Sequence, residues 1–137
     1  MLVLFLVFGL VSCGRSKTEK LLLNKKWMVT DVTQPAGNFN VEEANQAREL
    51  KEGFYKNGWF KFLPDSVFIA SLGGHTDTGK YHINLGGDAI SLYPKSGGAM
   101  YEQIRVQRLS ENKLVFNTII ADFHLVLHLS TQQESGK

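Results

Sequence analysis

The chain is poor in the residues that would give an easy functional lead. It has one cysteine, Cys13, which excludes an intrachain disulfide and any zinc site built on cysteines. Three prolines stand against thirteen glycines, a balance that suits extended segments joined by tight turns. The formal net charge is +2, too small to argue for a nucleic-acid partner. No internal repeat or low-complexity tract is present. The apolar run from Met1 to Val11 falls well short of the roughly 20 residues that span a bilayer. Catalytic motifs are missing as well. There is no Gly-x-Ser-x-Gly elbow and no Walker loop, and no suitable helix follows Gly73-Gly74 or Gly86-Gly87, which therefore read as turns. Asp31, Glu102 and Asp122 are scattered among candidate strands. These absences predict a protein that is not an enzyme and carries no cofactor. What remains is ordinary globular material, 43% hydrophobic and 20% charged, of a length that suits one domain.

The first dozen residues read as a targeting segment. Met1 to Val11 has the length of a signal-peptide apolar core. The sequence Leu10-Val11-Ser12-Cys13 resembles the lipobox of bacterial lipoproteins, with small Ser12 before the cleaved bond. That resemblance implies a signal peptide over residues 1–12. It also implies that Cys13 is acylated, by palmitate or a similar chain, to become the membrane anchor. Each buried methylene of such chains contributes about 0.8 kcal/mol, so several chains hold a soluble domain firmly. Residues 13–20 are then a tether, and its Arg15, Lys17 and Lys20, followed by Lys25 and Lys26, suit anionic headgroups. Gly14 is not the aspartate that can signal inner-membrane retention, which points to the outer membrane of the cell envelope.

Beyond the tether the chain alternates with the period of strands. Lys26 to Val32 is the first, with Trp27, Val29 and Asp31 on one face and Met28, Thr30 and Val32 on the other. A loop at Gln34–Asn38 leads to a helix with Asn40 as N-cap and Glu43 completing a capping box. Val41, Ala44, Ala47 and Leu50 form its apolar stripe, and the helix serves as a lid over a cavity or as a plug completing the core. Strands follow at 59–63, 67–72, 79–84, 89–93, 100–109, 113–117 and 123–129, separated by short turns. Eight consecutive strands with short links are antiparallel neighbours. Such a meander closes into a barrel, which removes its edges, or stays open as a half-wrapped sheet with the helix on its concave face. The predicted class is all-β with one short helix, an eight-stranded antiparallel up-and-down barrel over residues 21–130, then a flexible tail at 131–137.

Three stretches carry a second resemblance: Leu23-Asn24-Lys25-Lys26-Trp27, Gly79-Lys80-Tyr81-His82-Ile83 followed by Ile90-Ser91-Leu92, and Leu109-Ser110-Glu111-Asn112-Lys113-Leu114. From about Leu22 to Leu129 the chain is similar to the small lipocalin-like domains of bacterial lipoproteins. The resemblance implies an eight-stranded up-and-down barrel and transfers architecture better than activity.

Candidate sites follow from side-chain chemistry. The aromatic surplus places a small hydrophobic ligand or lipid among Trp27, Phe62, Tyr81 and Phe116, unless those rings simply fill the barrel. In the filled case the protein is a scaffold or interaction module whose loops are its working surface. His75 and Asp77 in a glycine-rich loop offer two metal ligands, too few for a site. His124 and His128 lie four residues apart on one strand face, roughly 13 Å at about 3.3 Å per residue, too far for one zinc. Both read as solvent-exposed, and no metal site is predicted.

Overall fold

The computed structural model describes residues 14–37, 40–95, 102–120 and 123–131. Eight antiparallel strands form a closed barrel in sequence order: β1 (Lys26–Thr33), β2 (Trp59–Leu63), β3 (Val67–Leu72), β4 (His75–Ile83), β5 (Ala89–Pro94), β6 (Glu102–Leu109), β7 (Lys113–Ile120) and β8 (Phe123–Thr131). The wall closes where β8 pairs with β1, for example Val29 opposite Leu129 and Val32 opposite Leu127. Alternation along each strand sends one set of side chains inward. Trp27, Phe60, Phe62, Phe68, Tyr81, Ile83, Ile90, Leu92, Ile104, Leu114, Phe116, Leu125, Leu127 and Leu129 form one continuous buried core.

Two bulges shift that alternation. Between Val29 and Asp31 the pairing with β8 slips by one residue, leaving Thr30 as the extra residue. A one-residue slip exchanges the faces that follow it. Val32 is therefore buried, and Asp31 turns outward to an ion pair with Lys51 at 3.1 Å. The sequence pattern had put Asp31 on the face of Trp27; the bulge is why it is not there. A second slip between Val106 and Arg108 lets both Val106 and Leu109 pack on the core.

Residues 14–22 are helical (α1), where the sequence led us to expect a tether. The helix lies across the lower end of the barrel, the end at which β1 begins. Its start seats on the β4–β5 turn: the Thr18 hydroxyl donates to the Gly87 carbonyl at 2.8 Å. Gly87 makes the seat, since a Cβ there would lie 2.3 Å from the Gly14 carbonyl oxygen. At the other end Asn24, at φ 61°, terminates the helix in the left-handed conformation and donates its N–H to the Phe62 carbonyl at 2.9 Å. Leu22 is wholly buried, and its carbonyl, one of those a helix end leaves without an intrahelical partner, accepts from the Trp27 indole at 3.1 Å. Trp27 thus fills the barrel and pins its lower cover. Residues 1–13, with the signal segment and Cys13, lie outside the described residues.

The second helix, α2 (Val41–Glu52), has the expected N-cap. Asn40 accepts from the N–H groups of Glu42 and Glu43. The Glu43 carboxylate accepts from the His124 N–H of β8 at 3.1 Å, which ties the first turn of α2 to the barrel wall. The buried face is correspondingly Glu43, Ala47 and Leu50, while Val41 and Ala44 face solvent. Because Ala47 and Leu50 join the barrel core, and α2 packs on β1 and β8, the helix plugs that side of the upper end. Thr131, expected at the start of the tail, instead ends β8 opposite Trp27, one residue beyond the Ser130–Met28 pair.

Candidate functional site

The rings singled out from sequence occupy the packed part of the barrel. Trp27, Phe62, Tyr81 and Phe116 are all at most 4% exposed. Phe62 and Tyr81 meet edge to face at 5.2 Å, and Phe116 meets Phe60 in the same way at 6.1 Å. The Tyr81 hydroxyl donates to the Leu63 carbonyl at 3.1 Å. Burial, and then the nearby Glu19 carboxylate, push this phenol above its ordinary range. None of the four rings lines either cleft described below.

A cleft of about 230 Å³ opens above that layer, in the part of the mouth that α2 leaves uncovered. Its floor is Phe60, Phe68, Ala70 and Leu92, which continue directly into the core. Phe54 and Leu72 wall one side and Pro94 the other. The Leu72-to-His75 hairpin closes in the two residues Gly73 and Gly74, so β4 begins at the mouth itself. Counting back along β4 from Ile83 and Tyr81, the inward positions are Gly79, Asp77 and His75. Both polar residues therefore stand at the cleft, the pair that the glycine-rich loop had suggested. Asp77 is half-buried, and its carboxylate accepts from the Thr78 N–H at 2.9 Å.

Gly79 shapes the floor. It sits directly opposite Phe68, and a Cβ would meet the Phe68 ring at 2.8 Å and the Tyr93 carbonyl oxygen at 2.2 Å. An aromatic ring laid over a strand glycine is a recurrent device in curved barrels. Here it sets the position of two cleft residues, Phe68 and Pro94.

A larger groove of about 350 Å³ runs between α2 and β1, from Asp31–Gln34 to Ala44, Arg48 and Glu52. It contains the exposed Lys51–Asp31 ion pair and touches the core only at Val32 and Ala47, its remaining lining being mostly polar, so it offers an apolar ligand less. Among the described residues no three His, Cys, Asp or Glu side chains group as a metal site. His124 is exposed, as expected. His128 is half-buried instead, its Nε2 2.9 Å from the Thr33 hydroxyl.

The comparisons with known proteins bear on this architecture. No protein-family model and no curated protein matches the chain. Among solved structures, a DUF4847 family protein from Bacteroides vulgatus ATCC 8482 matches with a TM-score of 0.56 at 13% identity, over 85% of this chain and 99% of that one. A redesigned β-barrel matches over 85% of this chain and 96% of its own at 19% identity, with a TM-score of 0.46. The first likeness is one of fold: a closed, eight-stranded, antiparallel up-and-down barrel.

Proposed function

We propose that this is a non-enzymatic protein of the cell envelope, held by acylation of Cys13 at the outer membrane, that takes a small apolar molecule into the mouth of its lipocalin-like barrel. The binding part rests on one observation: an apolar cleft whose floor is the top of the core itself. Its size limits the ligand. A cavity of about 150 Å³ accommodates benzene, so about 230 Å³ suits roughly nine or ten non-hydrogen atoms. A substituted ring or a short branched chain fits; a whole acyl lipid does not. Asp77 and His75 at the rim favour a ligand bearing one hydrogen-bond donor.

Affinity follows from area. Burying about 150 Å² of ring surface at ~25 cal/mol per Å² contributes about 4 kcal/mol, which corresponds to a dissociation constant near 1 mM before any polar contact. Chemical-shift titration is the suitable test, with indole and indole-3-ethylamine as probes. The expected result is saturable shifts confined to Phe60, Phe68, Ala70 and Leu92, stronger for the amine. Ala70→Leu, which adds three carbons to the floor, should abolish them. Absence of shifts at these residues up to ~10 mM, or shifts indifferent to Ala70→Leu, would sink the binding proposal. The anchor is tested separately, by the intact mass of protein extracted from membranes and its change in Cys13→Ala.

A second reading, an interaction module with a filled barrel, is favoured by the apolar side chains exposed around the same upper end: Val41, Phe54, Tyr93 and Ile119. It predicts capture of one stoichiometric protein partner, lost on Phe54→Ser, with no small-molecule shifts.

A further inference from the structure

We infer that the lower end of the barrel, the α1 end, is a docking face for an anionic lipid bilayer, and that the barrel sits on the membrane with its mouth directed away. The inference deepens the membrane reading above, but it concerns the folded surface and not the acyl chain.

Three features meet at this end. The first is where the chain leaves it. Residues 1–13, apolar as far as Val11, join α1 at Gly14, against the β4–β5 turn. The second is charge. Arg15, Lys17 and Lys20 are exposed on α1; Lys25 and Lys26 follow it, and Lys113 begins β7 at the same end. Glu19, Asp65, Asp88 and Glu111 share the region but are outnumbered, and Lys25 spends one donor on the Glu111 carbonyl rather than on a carboxylate. The upper end has no such excess: exposed Glu42, Glu49 and Glu52, with Asp31 beside them, are matched by exposed Arg48, Lys51, Lys56 and Lys95.

The third feature is apolar surface set among those cations. Leu85, in the β4–β5 turn on which α1 is seated, is 62% exposed. On the adjoining outer wall Trp59 lies under two lysines, Lys26 at 4.8 Å and Lys61 at 5.6 Å from the ring centre. Trp59 pairs with Met28, two residues above Lys26, about 7 Å along the strand. Interfacial surfaces bury apolar groups roughly 5–10 Å into the headgroup region while basic side chains meet the lipid phosphates. Both ends of the barrel expose some apolar side chains; among the described residues the lower one sets them in an excess of cations, the sign of charge that a phosphate surface attracts. A docking barrel would keep the mouth cleft in water, open to its ligand.

The test uses the full chain carrying Cys13→Ser, so that no acyl chain contributes. Vesicles of phosphatidylcholine alone are compared with vesicles containing phosphatidylglycerol, by co-sedimentation. Binding is expected only to the anionic vesicles and should fall with added salt. Lys17→Gln combined with Lys20→Gln should lower partitioning roughly five-fold per lysine. Lys56→Gln and Lys95→Gln, at the upper end, should leave it unchanged. Brominated lipid should quench Trp59 and spare Trp27, which is wholly buried. Equal binding to both vesicle types would assign the attachment to the apolar N-terminal run and overturn the inference. So would an equal loss from neutralising either end, or no binding at all. Circular dichroism of each variant establishes that the barrel is intact. An unacylated Cys13 in cell-derived protein would refute the anchor without altering the vesicle result, so the two failures remain distinguishable.

Discussion

Gly79→Ala tests whether the contact between β4 and β5 is as tight as the structure makes it. The added Cβ would lie 2.2 Å from the Tyr93 carbonyl oxygen and 2.9 Å from Pro94 Cα, both backbone atoms that no rotamer change can move. Carbon atoms of this kind are essentially never found within 3.0 Å, so the two strands must separate by most of an ångström. The hydrogen bond from Lys95 N–H to the Thr78 carbonyl, 2.8 Å long and next to the clash, is stretched by that movement. Overpacking costs about 1–3 kcal/mol and a weakened hydrogen bond about 1 kcal/mol. Alanine recovers about 0.5–1 kcal/mol of chain entropy relative to glycine. The net expectation is a loss of about 2–3 kcal/mol, read by urea titration with circular dichroism.

Gly74→Ala is the control. It has open space around it, and its φ of 81° alone sets a cost of about 1–2 kcal/mol. The two variants also separate in function. Gly79→Ala displaces Phe68 and Pro94 and should weaken indole binding in the mouth, whereas Gly74→Ala should not. A Gly79→Ala protein within about 0.5 kcal/mol of the parent, with unchanged Phe68 ring shifts, would refute the reasoning.

Other perturbations test other parts of the molecule. Trp27→Phe removes the indole bond to Leu22 and leaves a void under α1, and should cost about 2–3 kcal/mol with early loss of protection in residues 14–22 by hydrogen exchange. Asn40→Ala should cost about 1 kcal/mol by removing the acceptor for two α2 N–H groups, and Asn40→Ser should largely restore it. Tyr81, with its phenol pKa raised in the fold, contributes stability that is present below its ordinary value near 10 and lost as pH rises through the higher folded value. Tyr81→Phe should therefore flatten the alkaline limb of the pH–stability curve. Asp88 is held below the usual carboxylate range by the Asn84 side-chain amide, then by its own backbone N–H. Its contribution is present above the ordinary carboxylate pKa and disappears as pH falls through the depressed one, which carboxyl-carbon NMR of Asp88 measures directly.

The strands were legible because their alternation is nearly unbroken. Observed boundaries differ from the sequence reading chiefly where an end is extended by pairing, as with His75–Thr78 of β4 and Thr118–Ile120 of β7. The bulge at Thr30 was not legible, since any residue can be the extra one and only the partner strand decides. Helix α1 was hidden by its own surface: Arg15, Lys17, Glu19 and Lys20 look like a solvated linker. The available signal was Thr18 and Leu22, four residues apart and the side that is buried. The cleft was missed for a geometric reason. Two-residue periodicity says that Phe62 and Phe68 both point inward. It cannot say which lies near the lower cover and which under the open mouth, because height depends on the stagger between strands.

The neighbours of Trp27 have a consequence for how the protein is made. Its strand is completed by β8, about a hundred residues downstream, and α1 waits for Gly87, a separation of 69 residues from Thr18. The β1–β8 seam cannot close until the segment from Phe123 to Thr131 has been made. Contacts so distant in sequence are slow to assemble. Until the last strand arrives, β1 offers a bare row of backbone donors and acceptors to any passing strand. A nascent or truncated chain is thus the sticky form of this molecule, and the stretch from Phe123 to Thr131 is what ends that exposure.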